Sequence, residues 1–181
     1  MSGEAQYKAN KQIIGLDDKQ AALVRQMKPA LEKHADRMVD DFYRQLDTVD
    51  EARQLLDAKP ERRDMLRSHL RKWLISLSDG SYSIQYRTQR YVIGQRHVEV
   101  GVEPWLVIAA MAFCRSMAME LVEAEYKFAR NKVERALALS KVMDLDLNIM
   151  LQSYEDKRIE LFLETTGFSR ALFEQMIKSV Y

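Results

Sequence analysis

The stretch "YVIGQRHVEVGVEPWLVIAAMAFCRSMAMELVEAEYKF", residues 91–128, decides the fold class. Its first part reads as the end of a helix, because Gly101 suits the left-handed position just past a helix terminus and Pro104 suits the first turn of the helix that follows. From Pro104 to about Phe128 there is no further glycine or proline, and apolar residues surround most of the helical circumference. A helix of that kind is buried on more than one side. Residues 136–154, "ALALSKVMDLDLNIMLQSY", repeat the pattern. A chain of 181 residues has difficulty covering two such helices alone, so an all-α domain is expected in which part of this surface meets a second chain.

Upstream of this stretch the periodicity remains helical. Residues 1–15 are polar and read as a flexible segment, followed by a short helix over 16–27 with Asp17 or Asp18 as its cap. Leu31, Ala35, Met38, Phe42 and Leu46 repeat at helical spacing over 30–47, after Pro29 in a first turn. A small helix stops before Pro60, and a longer one over 61–80 carries Met65, Leu66, Leu70, Trp73, Leu74 and Leu77 on one arc. Arg62, Arg63, Arg67, Arg71 and Lys72 lie on the opposite face. Downstream, Leu172, Phe173, Met176 and Ile177 leave an apolar stripe with nothing local to cover it. Residues 164–181 read either as a terminal helix folding back or as a connector toward a further domain.

Composition narrows the function classes. With 47% hydrophobic and 30% charged residues the chain is globular. A net charge of +1 creates no field that calls for nucleic acid or an anionic membrane. One cysteine, Cys114, supports neither an internal disulfide nor a zinc site, which fits the cytoplasm. Neither a signal peptide nor an uninterrupted apolar membrane span is read. Glu-x-x-His pairs, His-Glu-x-x-His and a phosphate-binding Gly-x-x-x-x-Gly-Lys loop are all missing. The three histidines remain. His34 sits at the border of an apolar arc, where water satisfies it. His69 lies within the arc of its helix, where a basic ring needs a partner or a ligand. His97 lies in a last turn, where the helix end favours its protonated form, whereas a metal requires the neutral ring.

The stretch "IGQRHVEVGVEPWLVIAA" resembles the proximal signature of globin-coupled sensors, the haem-binding sensory domains of bacterial signalling proteins. "DFYRQL" (41–46) resembles their distal Phe-Tyr pair and "LRSHLRKWLISL" (66–77) their distal helix, with Leu66 and Trp73 in matching places. The resemblance covers roughly residues 20–155. It implies a globin fold without a clear D helix, preceded by an extra N-terminal helix, with the sensor domain over 16–163. It further implies a haem b cofactor, a homodimer formed through the last two long helices, and oxygen or another diatomic gas as ligand.

Carried over by position, His97 matches the proximal iron ligand, with Ile93 and Gly94 beside it, Gly94 clearing space for the porphyrin or for a neighbouring helix. Tyr43 matches a distal hydrogen-bond donor to the gas, and Leu66 an apolar residue limiting water. His69 departs from the commoner pattern. It can ligate iron opposite His97, hydrogen-bond the gas, or point past the porphyrin edge. The resemblance implies no catalysis by this domain itself, a diguanylate cyclase or histidine kinase being the kind of output such sensors drive. Two other classes stay open: a haem enzyme such as a nitric oxide dioxygenase or peroxidase, and a haem-free helical regulator using the basic face.

Overall fold

The structure, a computed structural model, describes residues 3–180. In chain order its helices are α1 (Gly3–Ile14), α2 (Asp18–Arg25), α3 (Lys28–Leu46), α4 (Asp50–Asp57), α5 (Arg63–Ser76), α6 (Ile84–Glu99), α7 (Pro104–Tyr126), α8 (Lys132–Thr166) and α9 (Arg170–Val180). One 3-10 turn, Pro60–Arg62, precedes α5. The all-α class expected from the periodicity is observed, and no strand occurs among the described residues.

Local chemistry sets the boundaries. Asp17 caps α2 by accepting from the Gln20 amide at 2.8 Å, which satisfies one of the otherwise unpaired first-turn donors. Pro29 and Pro104 occupy the first turns of α3 and α7, where a missing N–H costs nothing. Gly101 ends α6 with φ +77°. Its amide donates to Val98 at 3.0 Å and that of Val102 to His97 at 2.9 Å, the pair of bonds of a Schellman motif.

Helix α8 is the central post. α6 and α7 pack along it, α2 lies near its start and α1 further along, where Gln6 reaches Gln152, and α3 bears on both α5 and α7. Leu139, Val142, Met143 and Leu145 of α8 share one core with Val24, Met27, Leu31, Leu74 and Leu77. By length and apolarity α7 is the one described helix that could cross a membrane. Here its Leu106, Val107, Met111, Cys114 and Met117 are buried within the domain.

Two expectations are corrected. Residues 3–14 are not a flexible segment: they form α1, because Tyr7 is buried and donates its hydroxyl to the Tyr82 carbonyl at 2.9 Å. Residues 1 and 2 lie outside the described residues. α5 ends at Ser76 rather than at Gly80, and the loop that follows is tied down by Arg25, which donates to the Gly80 carbonyl at 3.0 Å. The helix read over residues 136–154 runs on, as α8, to the left-handed Gly167. Beyond it α9 leans on the end of α8 through Phe173 and Phe162, whose ring centroids lie 5.7 Å apart, while Leu172, Met176 and Ile177 stay exposed.

Candidate functional site

His97 lies in the last turn of α6. Its Nδ1 donates to the Ile93 carbonyl at 2.8 Å. That bond fixes the tautomer and leaves Nε2 as a free acceptor, without a partner among the described residues. Burial pushes the imidazole below its ordinary pKa, despite the Ile93 contact. The pull of the helix end toward the protonated form therefore loses to desolvation, and the ring is neutral.

Gly94, one turn earlier, faces α8. A Cβ there would lie 1.8 Å from the Ser153 hydroxyl and 2.9 Å from the Met150 carbonyl oxygen. Of the two clearances that its position allows, it is the neighbouring helix that comes close.

Across from α6 stands α5. The two helices do not pack substantially on each other: α5 rests on α3 and α6 on α8. They meet at their shared lower end, where Arg90 donates to the Ser76 hydroxyl at 2.6 Å. His69 precedes Ser76 by seven residues and His97 follows Arg90 by seven, two turns in each case. Seven residues return a side chain to nearly the same face after a rise of about 10 Å.

Leu66, Leu70 and Trp73 of α5 pack on the main core and Ile93 and Val98 of α6 on Val107, Met150 and Tyr154; all five are left half-buried, so apolar surface remains along the slot between the two helices. His69 itself is exposed and has no partner among the described residues. A separate cleft of about 330 Å³ runs between α4 and the α6–α7 corner, lined by Leu55, Ala58, Gly101, Trp105 and Leu106 among others.

Tyr43, near the end of α3, is buried. Phe42 meets it edge-on at 5.3 Å and the Arg67 guanidinium lies 5.5 Å from its ring centroid. Its hydroxyl has no hydrogen-bond partner among the described residues. Burial raises its pKa to about 12, so it remains a donor at physiological pH.

Other expected residues behave differently. Trp73 turns its indole N–H away from the slot, donating to Asp146 of α8 at 2.8 Å. His34 is satisfied by Glu125, 2.7 Å away, rather than by water. The basic face of α5 is largely neutralised by carboxylates: Arg63 pairs with Asp47 and Asp57, Arg67 with Asp40, and Arg71 with Asp36.

A buried polar cluster escapes sequence reasoning. Asp146 is fully buried and Arg90 only 4% exposed. Arg90 Nε donates to Asp146 Oδ2 at 3.0 Å, and the guanidinium lies 3.9 Å from the Tyr86 ring centroid. Burial pushes the Asp146 carboxyl up while Arg90 and the Trp73 N–H pull it back. The cluster fastens α5, α6 and α8 beneath the slot. Its one visible signal is a carboxylate flanked by two leucines in "LDLNIM", residues 145–150.

The sequence profile of the protoglobin family matches residues 3–160. The heme-based aerotactic transducer HemAT of Halobacterium salinarum is 25% identical over 162 residues, covering 84% of this chain and 33% of the transducer. The chain thus spans about a third of the length of that curated relative. The globin domain of a Geobacter sulfurreducens globin-coupled sensor superposes with a TM-score of 0.77 at 27% identity, over 81% of this chain and 96% of that one. The ferric globin domain of E. coli DosC gives a TM-score of 0.67 at 14% identity, over 76% of this chain and 99% of that one, a likeness of fold.

Proposed function

The chain belongs to the protoglobin family, and from that premise we propose that it is the sensory domain of a larger signalling protein, binding haem b and reporting oxygen or another diatomic gas. Membership of a globin family implies haem binding. The observation that carries the reading is His97: a neutral, half-buried imidazole with Nδ1 committed to Ile93 and Nε2 free, beside an apolar slot. That is the state and orientation a metal-ligating histidine needs.

Bound haem supplies an iron that takes a gas as ligand. His97 would hold that iron from α6. Leu66 and Ile93 would line the porphyrin and exclude water, with Trp73 placed behind them by Asp146. Tyr43 would donate its hydroxyl to the gas, favouring oxygen over apolar carbon monoxide. His69, on α5, would close the site as a second imidazole holding the iron when no gas is bound.

The domain acts as a cytoplasmic homodimer. In support, Trp105 and Ile108 at the start of α7, with Leu161 and Phe162 at the end of α8, are large apolar residues between 43% and 51% exposed. Residues 3–163, α1 included, form the sensor, and 164–181 the connector to an output domain. The name of the Halobacterium relative, a heme-based aerotactic transducer, agrees with gas signalling. The ion-paired face of α5 speaks against the haem-free nucleic-acid reading.

Absorbance spectra test the proposal. The haem-supplied chain is expected to show a Soret band that shifts with carbon monoxide in the ferrous state, and His97→Ala to lose it. Ferric protein is expected to be low-spin and to become high-spin in His69→Ala. Full haem retention in His97→Ala would sink the reading, and a high-spin ferric spectrum unchanged in His69→Ala would remove the closing role of that residue.

A further inference from the structure

We propose that Tyr154 is the positioning residue through which a displacement of His97 is passed to α8. The inference rests on the haem reading above and adds the route by which the signal leaves the site.

The His97 carbonyl accepts from the Val102 amide at 2.9 Å. The Val102 carbonyl in turn accepts from the Tyr154 hydroxyl at 3.0 Å. Two hydrogen bonds and one residue therefore separate the backbone of His97 from a side chain of α8. Tyr154 is 3% exposed and packs with Val107 and Met150, with Ile93, Val98 and Val102 closing around it. Its neighbour Ser153 is the group that lies against Gly94. One turn further along α8, Arg158 pairs with Glu103 at 3.0 Å on the surface of the same corner.

The covalent route from α6 into α7 is softer. It passes through Gly101, which has φ +77° and open space where a side chain would be. A glycine in that setting absorbs a displacement by changing its own dihedrals. A buried hydroxyl bond between packed residues yields less readily. Because α8 runs from Tyr154 to Thr166, twelve residues on, a tilt at Tyr154 is carried about 18 Å toward the connector.

Hydrogen exchange of the haem-loaded 181-residue chain, ferrous with and without carbon monoxide, tests this. In the unmodified chain the gas is expected to change amide exchange over residues 155–166. Tyr154→Phe keeps the ring and removes the hydroxyl. It should retain the Soret band while reducing that gas-dependent difference about three- to tenfold, the factor corresponding to one hydrogen bond. Arg158→Ala, which does not enter the core, should reduce it by less, and decides the matter if Tyr154→Phe does not hold haem. A normal Soret band with an unchanged exchange difference in both variants would overturn the inference alone. Absence of a Soret band in the unmodified chain would overturn it together with the haem reading.

Discussion

The two walls of the slot are held by different physics. α6 is fastened to α8 by the close contact at Gly94, by the buried Arg90–Asp146 pair and by Tyr154 at its outgoing corner. α5 is held at its lower end by Trp73, Ser76 and the buried Leu74, but higher up its outer face meets α3 through ion pairs that stand largely in water. Interiors tolerate little displacement at close contacts, whereas exposed ion pairs exchange for water at small cost. The wall carrying His97 is therefore bound to α8 at several levels, and the wall carrying His69 is the freer of the two above Trp73. A sensor needs that asymmetry: one side that adapts to whether a ligand is present, and one that transmits.

The largest expected effect breaks the fastened wall. Asp146→Ala leaves Arg90 buried without its counter-charge, and removing one partner of a buried pair costs about 3–5 kcal/mol. Denaturant unfolding of the haem-free chain measures it. Arg90→Met with Asp146→Leu removes both charges and should recover most of the loss, because desolvating the pair consumes much of what their attraction returns. If the double variant were as unstable as Asp146→Ala, hydrogen bonding to Trp73 and Ser76, rather than charge pairing, would be holding the wall.

Gly94→Ala comes next, at about 1–3 kcal/mol, the usual cost of one methyl forced into a packed contact. Ser153→Ala removes the nearest obstacle but not the Met150 backbone, whose carbonyl oxygen and Cα would still lie 2.9 and 3.1 Å from the new Cβ. Rescue by the second substitution should therefore be partial. Complete rescue would mean that the two helix backbones are free to separate, and the wall would not be rigid.

These two sites also separate what the sequence discloses from what it hides. The helix end at Gly101, the restart at Pro104 and the position of His97 are legible because glycine, proline and an isolated histidine carry their meaning locally. The apolar circumference of α7 and α8 likewise foretells burial on several sides. The Arg90–Asp146 pair is not legible, since its partners lie 56 residues apart and meet only once α6 lies on α8. The neutral state of His97 is hidden for a related reason. Its position in a last turn argues for protonation, and only the burial contributed by distant elements reverses that. Tyr7 shows the same limit, since its helix is polar by composition and is held by a loop 75 residues away.

The smallest effect belongs to the adaptable wall and would most sharply break the contrast. Arg71 and Asp36 lie 2.7 Å apart with side chains 43% and 76% exposed. An ion pair so open to water contributes about 0–1 kcal/mol, because solvent screens the attraction and two long side chains must be ordered to make it. Arg71→Ala should thus shift the unfolding midpoint barely at all, and what shift there is should shrink as salt is raised toward about 1 M, where the screening length falls to about 3 Å. Its effect on α5 should instead be kinetic, with gas binding past His69 changing in rate while the thermal midpoint holds. A loss above about 2 kcal/mol that persists in salt would show that packing by the arginine stem, not its charge, fixes α5 to α3, and both walls would then be equally rigid.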